Sequence, residues 1–382
     1  MNYAPANNGQ QKKFLVHTAR RQRFREIATG FCAGHTVEYF DNVGLLFWGG
    51  APSRQVLQQA LESSRSNSAK GLKLALKRWV LKSQYRWSHR FLKQRKPEYL
   101  LVWNGIKGHR ALLVEAAKEL GIGVFYFEEA PLPGKLAIDT RGVNYGSSLP
   151  HQLEFYENWC EENTVDDTEW RAMGRALKSR EATHNASVGQ NDACAELRKE
   201  NYVFFPLQVE GDSQITVYGD WVRSVRHSVD EIYRASAYLP AGWHVRVKEH
   251  PSSRHSMTND LMAMQNEKFR IDNSTDTVQQ LQASRGVITI NSSVGLQGFF
   301  YDKPVAIMGN AMFGLTGLVE KIKGPDDLRN YFQDPENWSF SLGNRNVFMA
   351  YLCAAQFPDE DLVRRGQIRA QDILHRDAKK RN

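Results

Sequence analysis

The sequence predicts an α/β protein with parallel sheets, and three observations carry that expectation. Short β-branched or aromatic runs alternate with longer helix-forming stretches along most of the 382 residues. A chain of that length exceeds what one hydrophobic core supports, so two domains of roughly 150–200 residues are expected. Four of the apolar runs end in small or charged hydrogen-bonding residues, where a parallel sheet presents its ligand-binding edge.

In chain order, strands are expected at Phe14–Thr18, Val43–Trp48, Tyr99–Trp103 and Val124–Phe127, then at Val203–Val209, Val245–Lys248, Val287–Ile290 and Val305–Met308. The first set belongs to an N-terminal domain of residues 1–200 and the second to a domain of residues 201–350. Residues 165–200 are polar and read as a connector between the two sheets. The basic stretch 351–382 reads as a last helix fraying into solvent. A hydrophobic content of 41% with 11% aromatics fits a folded soluble protein, and no run reaches the ~20 apolar residues of a membrane span. The start of the chain, MNYAPANNGQQKK, lacks an apolar leader core, so a cytoplasmic location is expected. Cys32, Cys160, Cys194 and Cys353 stand singly, which fits neither a disulfide framework nor a thiolate metal site.

The formal charge is +8, and its location matters more than its size. Between Lys70 and Lys96 the chain carries ten Lys and Arg and no acid, leaving the remainder close to neutral. At helical spacing Leu72, Leu76, Trp79, Val80, Trp87 and Phe91 fall on one side, and most cations fall elsewhere. Such a helix suits an anionic membrane surface, where each cation contributes ~1 kcal/mol and Trp sits at the interface. The plainer reading is a packed helix with a solvated basic face. Nucleic acid is not expected as a partner, because no nucleic-acid-binding motif accompanies the charge.

Polar strand ends supply the candidate chemistry. Asn291-Ser292-Ser293-Val294-Gly295 ends a strand and opens a helix, so short hydroxyls and unpaired N–H groups there suit a phosphate. Plain N-capping explains one of those side chains and leaves two over. The order fits neither a Walker loop nor a dinucleotide fingerprint. In Val245–Ser256, Pro251 biases His250 out of the helical region, and Lys248 with Arg254 adds positive charge for a phosphate or sugar carboxylate. No metal-ligand spacing accompanies His250, and no metal or other cofactor is expected. Glu210 and Asp212 follow another strand on either side of Gly211, placed to act as nucleophile or to stabilise an oxocarbenium ion, with Gln208 beside them. Glu128 and Glu129 end a fourth strand, where an apolar setting would raise a carboxyl toward general-acid range. Surface carboxylates capping loops are the alternative for both pairs.

These blocks occur in the order shown by the capsule polysaccharide biosynthesis proteins of the KpsS/LipB type, relatives of the KpsC enzymes, which the chain resembles collinearly from about Trp103 to Val319. The matching blocks are Phe127-Glu128-Glu129, Gly142-Val143-Asn144 with Ser147–Pro150, Leu207-Gln208-Val209 with Asp212–Ile215, Lys248 with His250-Pro251, and Thr289–Ser292 with Gly295, Lys303-Pro304 and Met308–Ala311. Ala130 replaces the glycine of the first block, and Gln297 stands where KpsC relatives often have Glu.

The resemblance implies a GT-B architecture, two Rossmann-like domains facing a cleft. It implies a retaining β-Kdo transferase using CMP-Kdo on a phosphatidylglycerol or lysophosphatidylglycerol acceptor, peripheral at the inner face of a Gram-negative inner membrane, with other capsule biosynthesis or export proteins as partners. It places the nucleophile on Asp212, the acid/base on Glu128 with Glu129, Glu210 and Gln208 in support, and the CMP moiety beside Lys248, His250, Asn291, Ser292, Ser293 and Gly295. The alternatives are the same fold with another nucleotide-activated sugar, and a non-catalytic assembly or export factor that binds glycolipid.

Overall fold

The computed structural model describes residues 11–64, 70–163, 165, 168–179, 185, 188–191, 194–254 and 256–380. The start of the chain (residues 1–10), read above for a leader, and residues 166, 167, 180–184, 186, 187, 192 and 193 of the expected connector lie outside them. The chain forms two compact units: Met1–Glu129 with Gly134–Val143 and Pro358–Asn382, and Ala130–Pro133 with Asn144–Phe357.

Among the described residues, the first unit carries a five-stranded sheet. Its strands are β1 (Lys13–His17), β2 (Thr36–Phe40), β3 (Tyr99–Trp103), β4 (Gly123–Glu129) and β5 (Leu136–Asp139), in the order β2-β1-β3-β4-β5. All pairings are parallel except β4 with β5. One face is Phe14, Val16, Leu101, Trp103, Phe125 and Phe127, covered by Phe24, Ile27 and Phe31 of the helix Gln22–Phe31 and by Val363, Ala370 and Ile373 near the end of the chain.

The second unit carries six strands, all parallel: β6 (Asn201–Pro206), β7 (Trp243–Lys248), β8 (Phe269–Ile271), β9 (Gly286–Thr289), β10 (Val305–Ile307) and β11 (Glu320–Lys321). Their order, β8-β7-β6-β9-β10-β11, is the doubly wound order 3-2-1-4-5-6 counted from the unit's first strand. The buried runs Val203–Phe205 and Val245–Val247 form its centre; the first reads as a continuous apolar stretch, and the second is interrupted by Arg246, which pairs with Asp272 and Glu200.

The α/β class and its parallel sheets are as the sequence predicts, with four differences. Val43–Trp48 is not a strand. Leu46 N donates to Ser83 O (3.1 Å), and Arg86 donates to the carbonyls of Phe47 and Gly50, so a helix rather than a sheet satisfies this backbone. The strand of that region is β2, a half-exposed edge whose Glu38 hides its pattern. β5, β8 and β11 are additional short strands.

Domain limits differ as well. Residues 144–200 belong to the second unit, where buried Trp170 packs on Phe300 (ring centroids 5.3 Å) and Tyr301 Oη donates to Gly174 O (3.1 Å), so the described part is not a bare connector. The last helix, Ala370–Lys379, does not fray. Its Ile373 is core, and its buried Asp377 accepts from Thr140 N and Oγ1 (both 3.0 Å).

Candidate functional site

In open parallel sheets ligands bind beyond the carboxyl ends of the strands, at the point where strand order reverses. In the second unit that point lies between β6 and β9, and Gln208 follows one while Asn291 follows the other. Gln208 Oε1 accepts from Asn291 N (3.1 Å) and Thr289 Oγ1 (3.4 Å), and its Nε2 donates to Asn291 Oδ1 (3.0 Å). Asn291 Nδ2 donates to the carbonyls of Gln214 (2.7 Å), Tyr218 (3.1 Å) and Asn310 (3.2 Å). The Asn291 amide is therefore spent on the scaffold, and the Gln208 amide is tied to it through its oxygen and one of its two N–H groups. They tie together the blocks around Gln208 and Asn291, and Tyr218, whose carbonyl also accepts from Asn310 N, meets Tyr145 at 5.7 Å. Asn291 thus turns its side chain to the scaffold, and Gln208, expected as a supporting residue, also lines the neighbouring cavity.

Lys248 turns to the scaffold in the same way. It is 2% exposed, and its ammonium donates to the carbonyls of Gly189 (2.9 Å), Asn273 (2.9 Å) and Thr275 (2.6 Å). Three donors meet three acceptors, and burial lowers the ammonium pKa to about 8. Neighbouring Glu249 is equally enclosed, accepting from Asn185 Nδ2 (3.0 Å), Asn273 Nδ2 (3.1 Å) and Met257 N (2.9 Å). These two charges pin the loop after β7 and so position His250.

His250 Nδ1 accepts from Ser252 N (3.0 Å), which in the neutral ring leaves the proton on Nε2. The imidazole lines a cavity of about 330 Å³ with Glu210, Arg226, Leu207, Val225 and Met257. That volume falls at the low end of the ~300–1,000 Å³ typical of ligand pockets. Glu210 Oε2 accepts from Val225 N (3.0 Å), yet burial outweighs that bond and raises its carboxyl above the ordinary range. Two residues on, beyond Gly211 at φ +74°, Asp212 N-caps the helix Ser213–Tyr218 and accepts from Gln214 N (3.2 Å) and Ser213 Oγ (3.3 Å).

Ser292 caps the helix Ser293–Gln297 through Val294 N (3.2 Å), and half-buried Ser293 opens it. The helix has five residues, so its dipole contributes less to an anion site than a full helix would. Gly295 serves packing, since a Cβ there would lie 3.0 Å from the Phe313 ring.

In the first unit the sheet reverses between β1 and β3, and here the sequence reading missed two residues. Asn104, in the left-handed region at φ 69°, follows β3 and donates from Nδ2 to Glu128 Oε2 (2.6 Å). His17 ends β1, 1% exposed, beside His109 (5.6 Å) and Phe40 (5.0 Å). Burial, then His109 and Arg110, push its imidazole down to about 3, so it is neutral. The signals were present: Asn104-Gly105 is a turn dipeptide directly after a strand, and His17-Thr18 is a polar strand end. Glu128 and Glu129 point to opposite faces of β4. Exposed Glu129 pairs with Arg23, which also pairs with Glu360. Among the described residues, no three His, Cys, Asp or Glu side chains are grouped to hold a metal, and no helix is long and apolar enough to cross a membrane.

Residues 166–342 match the family model described as capsule polysaccharide biosynthesis protein. Protein FixF of Sinorhizobium fredii is 26% identical over 261 residues, covering 65% of this chain and 60% of that protein. The capsule polysaccharide export protein KpsS of Escherichia coli is 26% identical over 252 residues, covering 53% of this chain and 64% of that protein. The match thus spans less than two thirds of either relative's length. Among solved structures, the Thermosulfurimonas dismutans KpsC β-Kdo 2,7 transferase aligns over 93% of this chain and 98% of that one, at 12% identity and a TM-score of 0.47. The resemblance to capsule polysaccharide proteins of the KpsS/LipB type is borne out.

Proposed function

We propose that this chain, with its capsule polysaccharide biosynthesis segment at residues 166–342, is a glycosyltransferase that moves Kdo from CMP-Kdo, with retention, to a lipid or lipid-linked acceptor. Phosphatidylglycerol or lysophosphatidylglycerol would be the acceptor, at the inner face of a Gram-negative inner membrane. One observation supports the reading above the others: a cavity of about 330 Å³ bearing His250 and Glu210 adjoins the reversal point of a doubly wound sheet that lies inside the family segment.

On this reading the cytidine occupies that cavity, and the Nε2–H of His250 with the hydroxyls of Ser292 and Ser293 bonds the phosphate. Asp212 attacks the anomeric carbon as the bond to the CMP phosphate oxygen breaks, and CMP leaves with that electron pair. The acceptor oxygen then displaces Asp212 while Glu128 takes its proton, so two inversions give net retention. Glu128 fits the proton-transfer role better than Glu129, because Asn104 fixes its carboxylate while Glu129 is held by Arg23.

The test is turnover of CMP-Kdo with a short-chain phosphatidylglycerol acceptor, read by mass spectrometry. Asp212→Asn keeps an N-cap and should leave the melting temperature unchanged while abolishing product. Glu128→Gln should lower turnover about 10²–10⁴-fold. Folded Asp212→Asn with wild-type turnover would sink the assignment. Thermal stabilisation by UDP or GDP but not CMP would favour another nucleotide sugar over Kdo. The export role in the name of KpsS favours one further reading, a non-catalytic factor, which requires that neutralising Glu128 and Asp212 together leave function intact.

A further inference from the structure

The helix Gly71–Arg95 packs with only part of its length. Its buried residues, Leu81, Ser83, Tyr85, Ser88 and Leu92, all lie from the eleventh residue onward. In the first half Leu72 is 87% exposed, Leu76 59% and Trp79 44%, although their spacing puts them on one face. The N-terminal part of the stripe read from the sequence is therefore not buried against this unit, whereas Trp87 and Phe91 are half-buried beside Phe40, and a second element extends the exposed part.

That element is the irregular segment 43–50, bound to the same helix through Ser83 and Arg86 as described above. It carries Phe47, 54% exposed, and Trp48, 67% exposed, and the Phe47 ring stacks on Trp79 at 5.3 Å and 20°. Two elements distant in sequence thus hold a contiguous set of large apolar side chains out in water, which isolated surface hydrophobes do not do. Around them are exposed Lys70, Lys73 and Arg78, and neither residues 43–50 nor residues 70–96 contain an acid.

We propose that segment 43–50 and the first half of this helix form one docking wedge for an anionic phospholipid bilayer. Phe47, Trp48, Leu72 and Leu76 enter the boundary between headgroups and acyl chains, and the flanking cations meet lipid phosphates. Charge decides for the bilayer over a protein groove, because two segments that carry exposed aromatic side chains and cations without one acid match a uniformly negative plane. The proposal deepens the membrane-surface part of the function proposed above and rests on it, while needing neither the donor nor the catalytic residues.

The experiment is flotation of the full chain with phosphatidylcholine vesicles, with and without phosphatidylglycerol, at low and high salt. Binding should require phosphatidylglycerol and weaken with salt. The double variant Phe47→Ser, Trp48→Ser should lower partitioning about tenfold or more, and Lys73→Gln with Arg78→Gln should do the same. Turnover on a detergent-dispersed acceptor should be unchanged in both. Absence of binding by the parent chain, or equal binding by both variants, overturns the wedge. So does a dimer that dissociates in the aromatic variant while vesicle binding persists, since a second copy would then cover the patch. Vesicle binding that depends on these residues, in a chain without transferase activity, would leave the wedge standing and refute the enzyme.

Discussion

Lys248 and His250 stand two residues apart in one loop, and burial gives them opposite jobs. The ammonium of Lys248 satisfies three backbone carbonyls that would otherwise be orphaned, so Lys248→Met should cost about 3 kcal/mol in urea unfolding. The folded fraction should still be stabilised by CMP. His250→Ala removes the bond from Ser252 N and should move the melting point less than Lys248→Met does, while weakening CMP-dependent stabilisation about tenfold. The reverse pattern would make Lys248 the phosphate ligand after all. Sequence located both residues, and Gln208 and Asn291 too, because small and charged side chains at strand ends are conspicuous. It did not assign their roles. Whether a polar group faces ligand or scaffold depends on which distant carbonyls approach it, as Asn310 and Tyr218 approach Asn291.

Elements were legible where burial is symmetric. β3 and Tyr202–Pro206 of β6, buried almost throughout, read as unbroken apolar runs, whereas the edge strand β2 and the short β8 and β11 carry too little pattern. Val43–Trp48 misled for the opposite reason, since strand-forming side chains there serve an exposed segment. Helix packing was the least legible, and Gly30 shows why. It sits in Gln22–Phe31 against the helix Glu360–Arg364, where a Cβ would fall 2.3 Å from the carbonyl oxygens of Val363 and Arg364. Only glycine permits that approach, yet nothing within 300 residues of Gly30 announces the partner. Gly30→Ala must push the two helices apart and should cost about 1–3 kcal/mol by overpacking. Limited proteolysis should then release the end of the chain faster. An unchanged urea midpoint and cleavage rate would mean that the segment is not docked there.

At the scale of the molecule the two sheets were foreseen and their ownership of the chain was not, because nothing local in Ala370 or Ile373 says which core they join. Both cores enclose neutral histidines, and this makes stability depend on pH as a whole-chain property. Burial is the first cause in each case: it pushes His17 and His244 down to about 3 and His109 to about 4. Each folded value lies below the unfolded value of ~6.5, so below that pH the unfolded chain binds more protons than the native one. Acid therefore favours unfolding, beginning near pH 6.5 and continuing down to about 4. Three such groups give a slope approaching ~4 kcal/mol per pH unit where all three titrate only in the unfolded chain. Glu210 opposes this, because its raised carboxyl takes up a proton earlier in the native state than in the unfolded one. Asp272, Glu360 and Asp377, held below the usual carboxylate range, add to acid lability only at lower pH, below about 4. The net expectation is a urea midpoint that falls steadily between pH 7 and pH 5. His17→Gln removes one proton from that balance and should flatten the slope by ~1.4 kcal/mol per pH unit. If the two units unfold in separate transitions, His17→Gln should change only the first unit's pH dependence, and His244→Gln only the second's. A midpoint independent of pH in this window would show that these imidazoles are not held neutral, and with that the neutral His17 at the first sheet's reversal point would fall.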